Sequence, residues 1–140
     1  MIRVVPARPE MAMMLTPQRV QVETGQVMTP VDALAAIRSG LAMAAVTEDR
    51  ILAIGGVAEL WPDRGMIWGV LAEGIGANMV HVHRSVARAR AICPYRRVEA
   101  YVASVHEEGH RWIKMLGFAH EGRMRTFYEG HDYDLYSRVR

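Results

Sequence analysis

Met66-Ile-Trp-Gly-Val-Leu-Ala-Glu-Gly-Ile-Gly-Ala-Asn78 is the stretch on which the reading of the fold turns. Its first seven residues, Met66–Ala72, form an uninterrupted apolar run, the pattern of a central strand buried on both faces. Glu73–Asn78 follows, the one glycine-rich loop in the chain that leads from a strand into a helix. Behind it Met79, Val82, Val86, Ala89 and Cys93 recur at three- and four-residue steps. A helix is therefore expected from about Asn78 to Cys93, with one buried face and Pro94 closing it. Glycines at such a junction serve one of two ends. They let backbone N–H groups close on a diphosphate at a helix N-terminus, where the dipole favours negative charge. Alternatively they only make a tight turn. The sequence leaves both open.

Upstream, Leu41–Thr47 and Ile51–Leu60 are apolar runs around Glu48-Asp49-Arg50 and read as a β-hairpin. Trp61-Pro-Asp-Arg-Gly65 turns the chain into Met66–Ala72. Thr29-Pro30-Val31-Asp32 has the chemistry of a helix start, with a threonine N-cap, and that helix ends near Ser39-Gly40. Ile2–Val5 reads as a strand and Pro9–Leu15 as a short helix, while residues 16–28 lack a period and read as loop. Downstream, Arg97–Ser104 is a strand, and Ser104-Val-His-Glu107 has the spacing of a capping box. The helix it opens carries the stripe Val105, Trp112, Ile113 and Leu116, with Gly117 as its left-handed cap. Ala119–Tyr128 and Tyr133–Arg138 are two strands around Glu129-Gly-His-Asp132. The expected fold is α/β in the broad sense: a mixed, mostly antiparallel sheet flanked by about four helices.

Composition narrows the function classes. The 140 residues are 51% hydrophobic and 23% charged, which suits one domain over residues 1–140 and excludes wholesale disorder. A single cysteine, Cys93, excludes a disulfide framework and a multi-thiolate zinc site. No apolar run approaches the roughly 20 residues of a membrane span, and Met1–Glu10 lacks a signal core. The expectation is a soluble, cytoplasmic protein with no membrane partner. His81 and His83 lie two apart on a helix, and His110, His120 and His131 lack ligand spacing, so no metal site is expected. Arg84, Arg88, Arg90, Arg96 and Arg97 can contact phosphate. Without aromatic interleaving or a helix-turn-helix, nucleic acid is not the expected partner.

The element order, Leu116-Gly117-Phe118 followed by Glu121-Gly122, and the closing Asp132–Arg138 together carry a resemblance. Over nearly its whole length the chain resembles the GCN5-related N-acetyltransferase (GNAT) family. The resemblance implies acetyl-CoA as acyl donor and an amine, on a small molecule or a protein, as acceptor. It implies the pyrophosphate on the glycine loop and the pantetheine arm between Met66–Ala72 and Arg97–Ser104. The cofactor-binding residues would be Val70, Leu71, Gly74, Ile75, Gly76, Ala77 and Asn78. Two departures stand out. The family's Gln/Arg-x-x-Gly-x-Gly/Ala loop keeps Gly74 and Gly76 here but has Leu71 at the Gln/Arg position. The tyrosine that protonates the leaving thiolate in many members falls at Ile113, which has no proton to give.

Any proton transfer then falls to other groups. Glu59, at the end of the third strand, is a candidate base. Tyr101 is a candidate acid, and His106 a candidate donor with a pKa near neutrality. Each also has a plainer reading, as a solvated carboxylate, a packed tyrosine and an exposed histidine. A narrower resemblance rests on Leu52-Ala-Ile-Gly-Gly56, Trp68 and His110-Arg-Trp-Ile-Lys114. These are similar to small GNAT-like proteins of short-tailed bacteriophages, which implies a non-catalytic, virion-associated or assembly role among other phage proteins. Both readings stand at this point, as does a homodimer.

Overall fold

The computed structural model describes residues 1–26 and 30–140. Strand β1 (Arg3–Pro6) is followed by a 3-10 turn at Pro9–Met13 and helices α1 (Arg19–Glu23) and α2 (Pro30–Ser39). Then come β2 (Gly40–Val46), β3 (Ile51–Trp61) and β4 (Arg64–Leu71). A 3-10 turn at Gly76–Asn78 leads into α3 (Met79–Ile92), then β5 (Arg97–Ala103), α4 (Glu107–Met115), β6 (Ala119–Tyr128) and β7 (His131–Val139). The seven strands form one mixed sheet in the order β1-β2-β3-β4-β5-β7-β6. Only β4 and β5 run parallel, and α3 is the crossover that such a pair needs.

Helices pack on both faces. Met11 and Leu15 of the N-terminal segment, with Ile37 of α2, cover Ala44, Ile54, Trp68 and Val70 on one face. On the other, α3 and α4 bring Val82, Val86, Ile113 and Leu116 against Leu52, Leu71, Val98, Ala100 and Val102. Alternation along β4 therefore sends Trp68 and Val70 to the first face and Leu71 to the second.

Two local expectations are corrected, and one lies outside the described residues. The 16–28 segment is not all loop, because Arg19–Glu23 is helical. Its periodicity is weak because a buried glutamine, Gln21, anchors it through hydrogen bonds to β4. The capping box does not form either. His106 is the N-cap residue of α4 and makes no side-chain cap bond, while Ser104 Oγ donates to Asp134 Oδ1 at 2.5 Å. The helix begins two residues later than the box requires, with His106 rather than Ser104 at its N-cap, and the Ser104 hydroxyl turns to the buried carboxylate instead. The Thr29 N-cap falls outside the described residues.

Candidate active site

The parallel ladder between β4 and β5 has only three registers, Arg64↔Arg97, Gly65↔Val98 and Met66↔Glu99. Beyond Met66 the two strands part company. β3 still holds β4 as far as the pair Ala53↔Leu71, and β7 holds β5 as far as Ala103↔Tyr133. Two well-anchored strands that cease to pair leave a V-shaped opening in the sheet. A cleft of about 1110 Å³ fills it, with Trp68, Leu71, Tyr101, His106 and Trp112 among its walls.

The closed end of the V is charged. Glu99 is 2% exposed and accepts hydrogen bonds from Arg64 Nε at 2.5 Å, Arg97 Nε at 2.7 Å and the Tyr101 hydroxyl at 2.9 Å. Burial pushes its pKa up, but the bonds from Arg64, Arg97 and Tyr101 outweigh that and hold it at about 2. Arg97 also forks onto Glu121 at 2.8 and 2.9 Å. Burial, together with the neighbouring Glu99, raises the Tyr101 pKa, so the phenol stays protonated at neutral pH.

At the open end lies the glycine loop. Gly74 has φ +68° and Gly76 φ +54°, and a Cβ on either would meet no atom within 4 Å. Both uses of the glycines are thus compatible: the turn requires the left-handed region, and the space above the backbone stays free. The Arg50 guanidinium braces the loop by donating to Glu73 O at 2.9 Å and Gly74 O at 3.0 Å.

The cleft edge of β4 is already bonded. Ala72 N–H donates to Leu52 O of β3, so by strand alternation the peptide groups of Gly69, Leu71 and Glu73 turn the other way, toward the cleft. The segment Thr16–Gln21 satisfies them. Gln21 Nε2 donates to Gly69 O at 3.0 Å, and Leu71 N–H donates to Gln21 Oε1 at 2.8 Å. Gln18 N–H donates to Leu71 O, and Glu73 N–H donates to Thr16 O, both at 2.9 Å.

The residues singled out from sequence are distributed unevenly over this site. Val70, Leu71, Ile75 and Gly76 line the cleft, as do Tyr101 and His106. Gly74 and Ala77 are exposed and Asn78 half-buried on the loop beside it. Glu59 is exposed at the closed end, opposite Gly65, away from the cleft walls. His106 is buried rather than exposed, and burial lowers its pKa, with Glu108 opposing. Leu71 and Ile113 are buried core residues. Gln21, Arg50 and Glu99 carry no sequence motif; their importance depends on partners distant in the chain. Among the described residues no group of three His, Cys, Asp or Glu side chains is placed to hold a metal ion.

No protein-family profile matches the chain, and no curated protein matches it in sequence. Solved structures do match in shape. Ard1 from Thermoplasma volcanium superposes with a TM-score of 0.80 at 12% identity, over 99% of this chain and 97% of that one. The fold is the GNAT acetyltransferase fold. An acetyltransferase of the GNAT family from Streptococcus pneumoniae matches at 0.70 and 17% identity, over 99% of both chains. The ribosomal-protein-S5-alanine acetyltransferase from Vibrio fischeri matches at 0.67 and 15%, over 99% of this chain and 92% of that one. At such identities the likeness is one of fold, and this GNAT-fold chain must supply its own argument for chemistry.

Proposed function

We propose that this protein is an N-acyltransferase that takes its acyl group from acetyl-CoA and passes it to an amine. One observation carries the reading: the cleft opened by the parting of β4 and β5 runs to a two-glycine loop at the start of α3. The open space above Gly74 and Gly76 suits the phosphates of the coenzyme, beside the N-terminal end of a 14-residue helix. The arm end of the track fits too, provided the Gln21 carboxamide gives way there. When bound, acetyl-CoA supplies a thioester-activated acyl group.

The chain's own residues divide the proton work. His106, held neutral by burial, takes the proton that the attacking amine must lose. Tyr101, protonated and seated on Glu99, is a hydroxyl on the cleft wall that can give one up. Glu59 has no part in either step. Calorimetric titration with acetyl-CoA, followed by a transfer assay over primary amines and peptide N-termini, tests the proposal. Binding with acetyl transfer supports it; no heat and no thermal stabilisation at millimolar ligand overturns it.

A second reading, a non-catalytic GNAT-fold protein of a phage particle, is favoured by the two motif positions that have become core. Leu71 packs with Ile75 and Val82, and Ile113 with Leu116 and Phe118. It predicts recovery of the protein from purified particles and no transfer to any amine.

A further inference from the structure

Gln21 is 3% exposed and stands on the wall of the cleft. Its carboxamide does for β4 what a neighbouring strand would do, accepting from the Leu71 N–H and donating to the Gly69 carbonyl. Across the cleft the situation is the reverse. Ser104 N–H bonds to Asp132 O on the β7 side, so alternation turns the peptide groups of Tyr101 and Ala103 toward β4. The β4–β5 ladder has ended before it reaches them. One wall of the cleft is therefore filled by the Thr16–Gln21 segment, while on the other the Ala103 carbonyl accepts from His106 N–H and the Tyr101 peptide faces the cleft with no partner strand beside it.

Resting on the coenzyme reading above, we infer that Gln21 is a specificity-determining residue that occupies the track of an amide-bearing acyl carrier. The carrier's arm seats against β4 only by displacing it. A primary carboxamide and the secondary amides of a pantetheine arm present the same donor and acceptor, so the exchange conserves the hydrogen bonds of β4. The displaced carboxamide needs a new partner inside the cleft, and one is at hand. Trp68 Nε1, on the same strand and lining the same cleft, is buried with no hydrogen-bond partner among the described residues. Carriers are then selected first by their phosphate end, on the glycine loop, and the arm contributes little net affinity.

The experiment compares coenzyme A with adenosine 3′-phosphate 5′-diphosphate, which keeps the whole nucleotide with both pyrophosphate phosphates and lacks the arm, by calorimetry on the wild type and on Gln21→Ala. The expected result is that the wild type binds the two within about threefold. Gln21→Ala then tightens coenzyme A by about tenfold and leaves the armless nucleotide unchanged. A wild type that binds coenzyme A about a hundredfold more tightly than the armless nucleotide overturns the inference, because the arm then seats without a competitor. So does a variant whose affinity for coenzyme A is unchanged or weaker. Gln21→Met, which keeps the length and loses the amide, is the second variant should alanine fail to fold, and the wild-type ratio needs no variant at all. If neither ligand binds either protein, the coenzyme reading itself falls and takes the inference with it.

Discussion

Glu99 is an anion inside the sheet, and its charge survives only because Arg64, Arg97 and Tyr101 all donate to it. Its pKa of about 2 lies below the ordinary 4.5, so the unfolded chain takes up this proton first as pH falls. The stabilisation is complete above about pH 4.5 and is lost as pH drops toward 2; it amounts to about 3 kcal/mol. Glu99→Gln should cost about that much at pH 7 by urea denaturation, and should flatten the difference between pH 7 and pH 3. His106 provides a second test. If it takes the amine proton in its neutral form, activity rises with pH through its pKa, which burial places below the ordinary 6.5. The acid limb of the kcat profile should lie below that value, and His106→Gln should remove the limb and lower kcat by about a hundredfold. At this scale the sequence was half legible. Arg97, Glu99 and Tyr101 share one face of a strand at two-residue spacing, which any reading of Arg97–Ser104 contains. Arg64, which makes the carboxylate tolerable, lies 35 residues away and only the fold brings it in.

The elements were most legible where chemistry is local. The strand, loop and helix from Met66 onward fall within a residue or two of their expected bounds, because apolar period and glycine placement are local signals. The short helix at Arg19–Glu23 was invisible, since what orders it is a glutamine reaching 48 and 50 residues along the chain. The failed capping box has the same origin: Ser104 answers to Asp134, 30 residues away. The glycine loop gives the test at this scale. Gly76 has φ +54° and open space around its missing Cβ, so a side chain there is strained by backbone conformation and not by collision. Gly76→Val should lose about 1 kcal/mol or more of stability even without ligand. It should also lose binding of coenzyme A, since the valine projects into the space the phosphates need. Gly76→Ala, with the same φ penalty and a smaller intrusion, should keep measurable affinity, and calorimetry on the pair separates the two effects.

For the whole molecule, the order of elements was enough to reach the sheet, and the parting of β4 from β5 was expected from the resemblance alone. The filled edge of β4 had no sequence signal, because it depends on how the N-terminal segment crosses the cleft. Trp68 makes events there observable. With Trp61 and Trp112 changed to Phe, it is the sole tryptophan of a chain that has three, and coenzyme A entering the cleft should shift or quench its emission. An unchanged spectrum under saturating ligand would place the ligand elsewhere. The sheet order bears on a different matter, the behaviour of the protein at high concentration. Its outer strands are β1, only four residues long and ending in Pro6, and β6, whose register slips twice and which carries Glu121, Arg123 and Arg125. A short edge, a proline, bulges and charges are each poor templates for another strand. The sheet is therefore open from within, between β4 and β5, while both margins resist the edge-to-edge growth that leads to fibres.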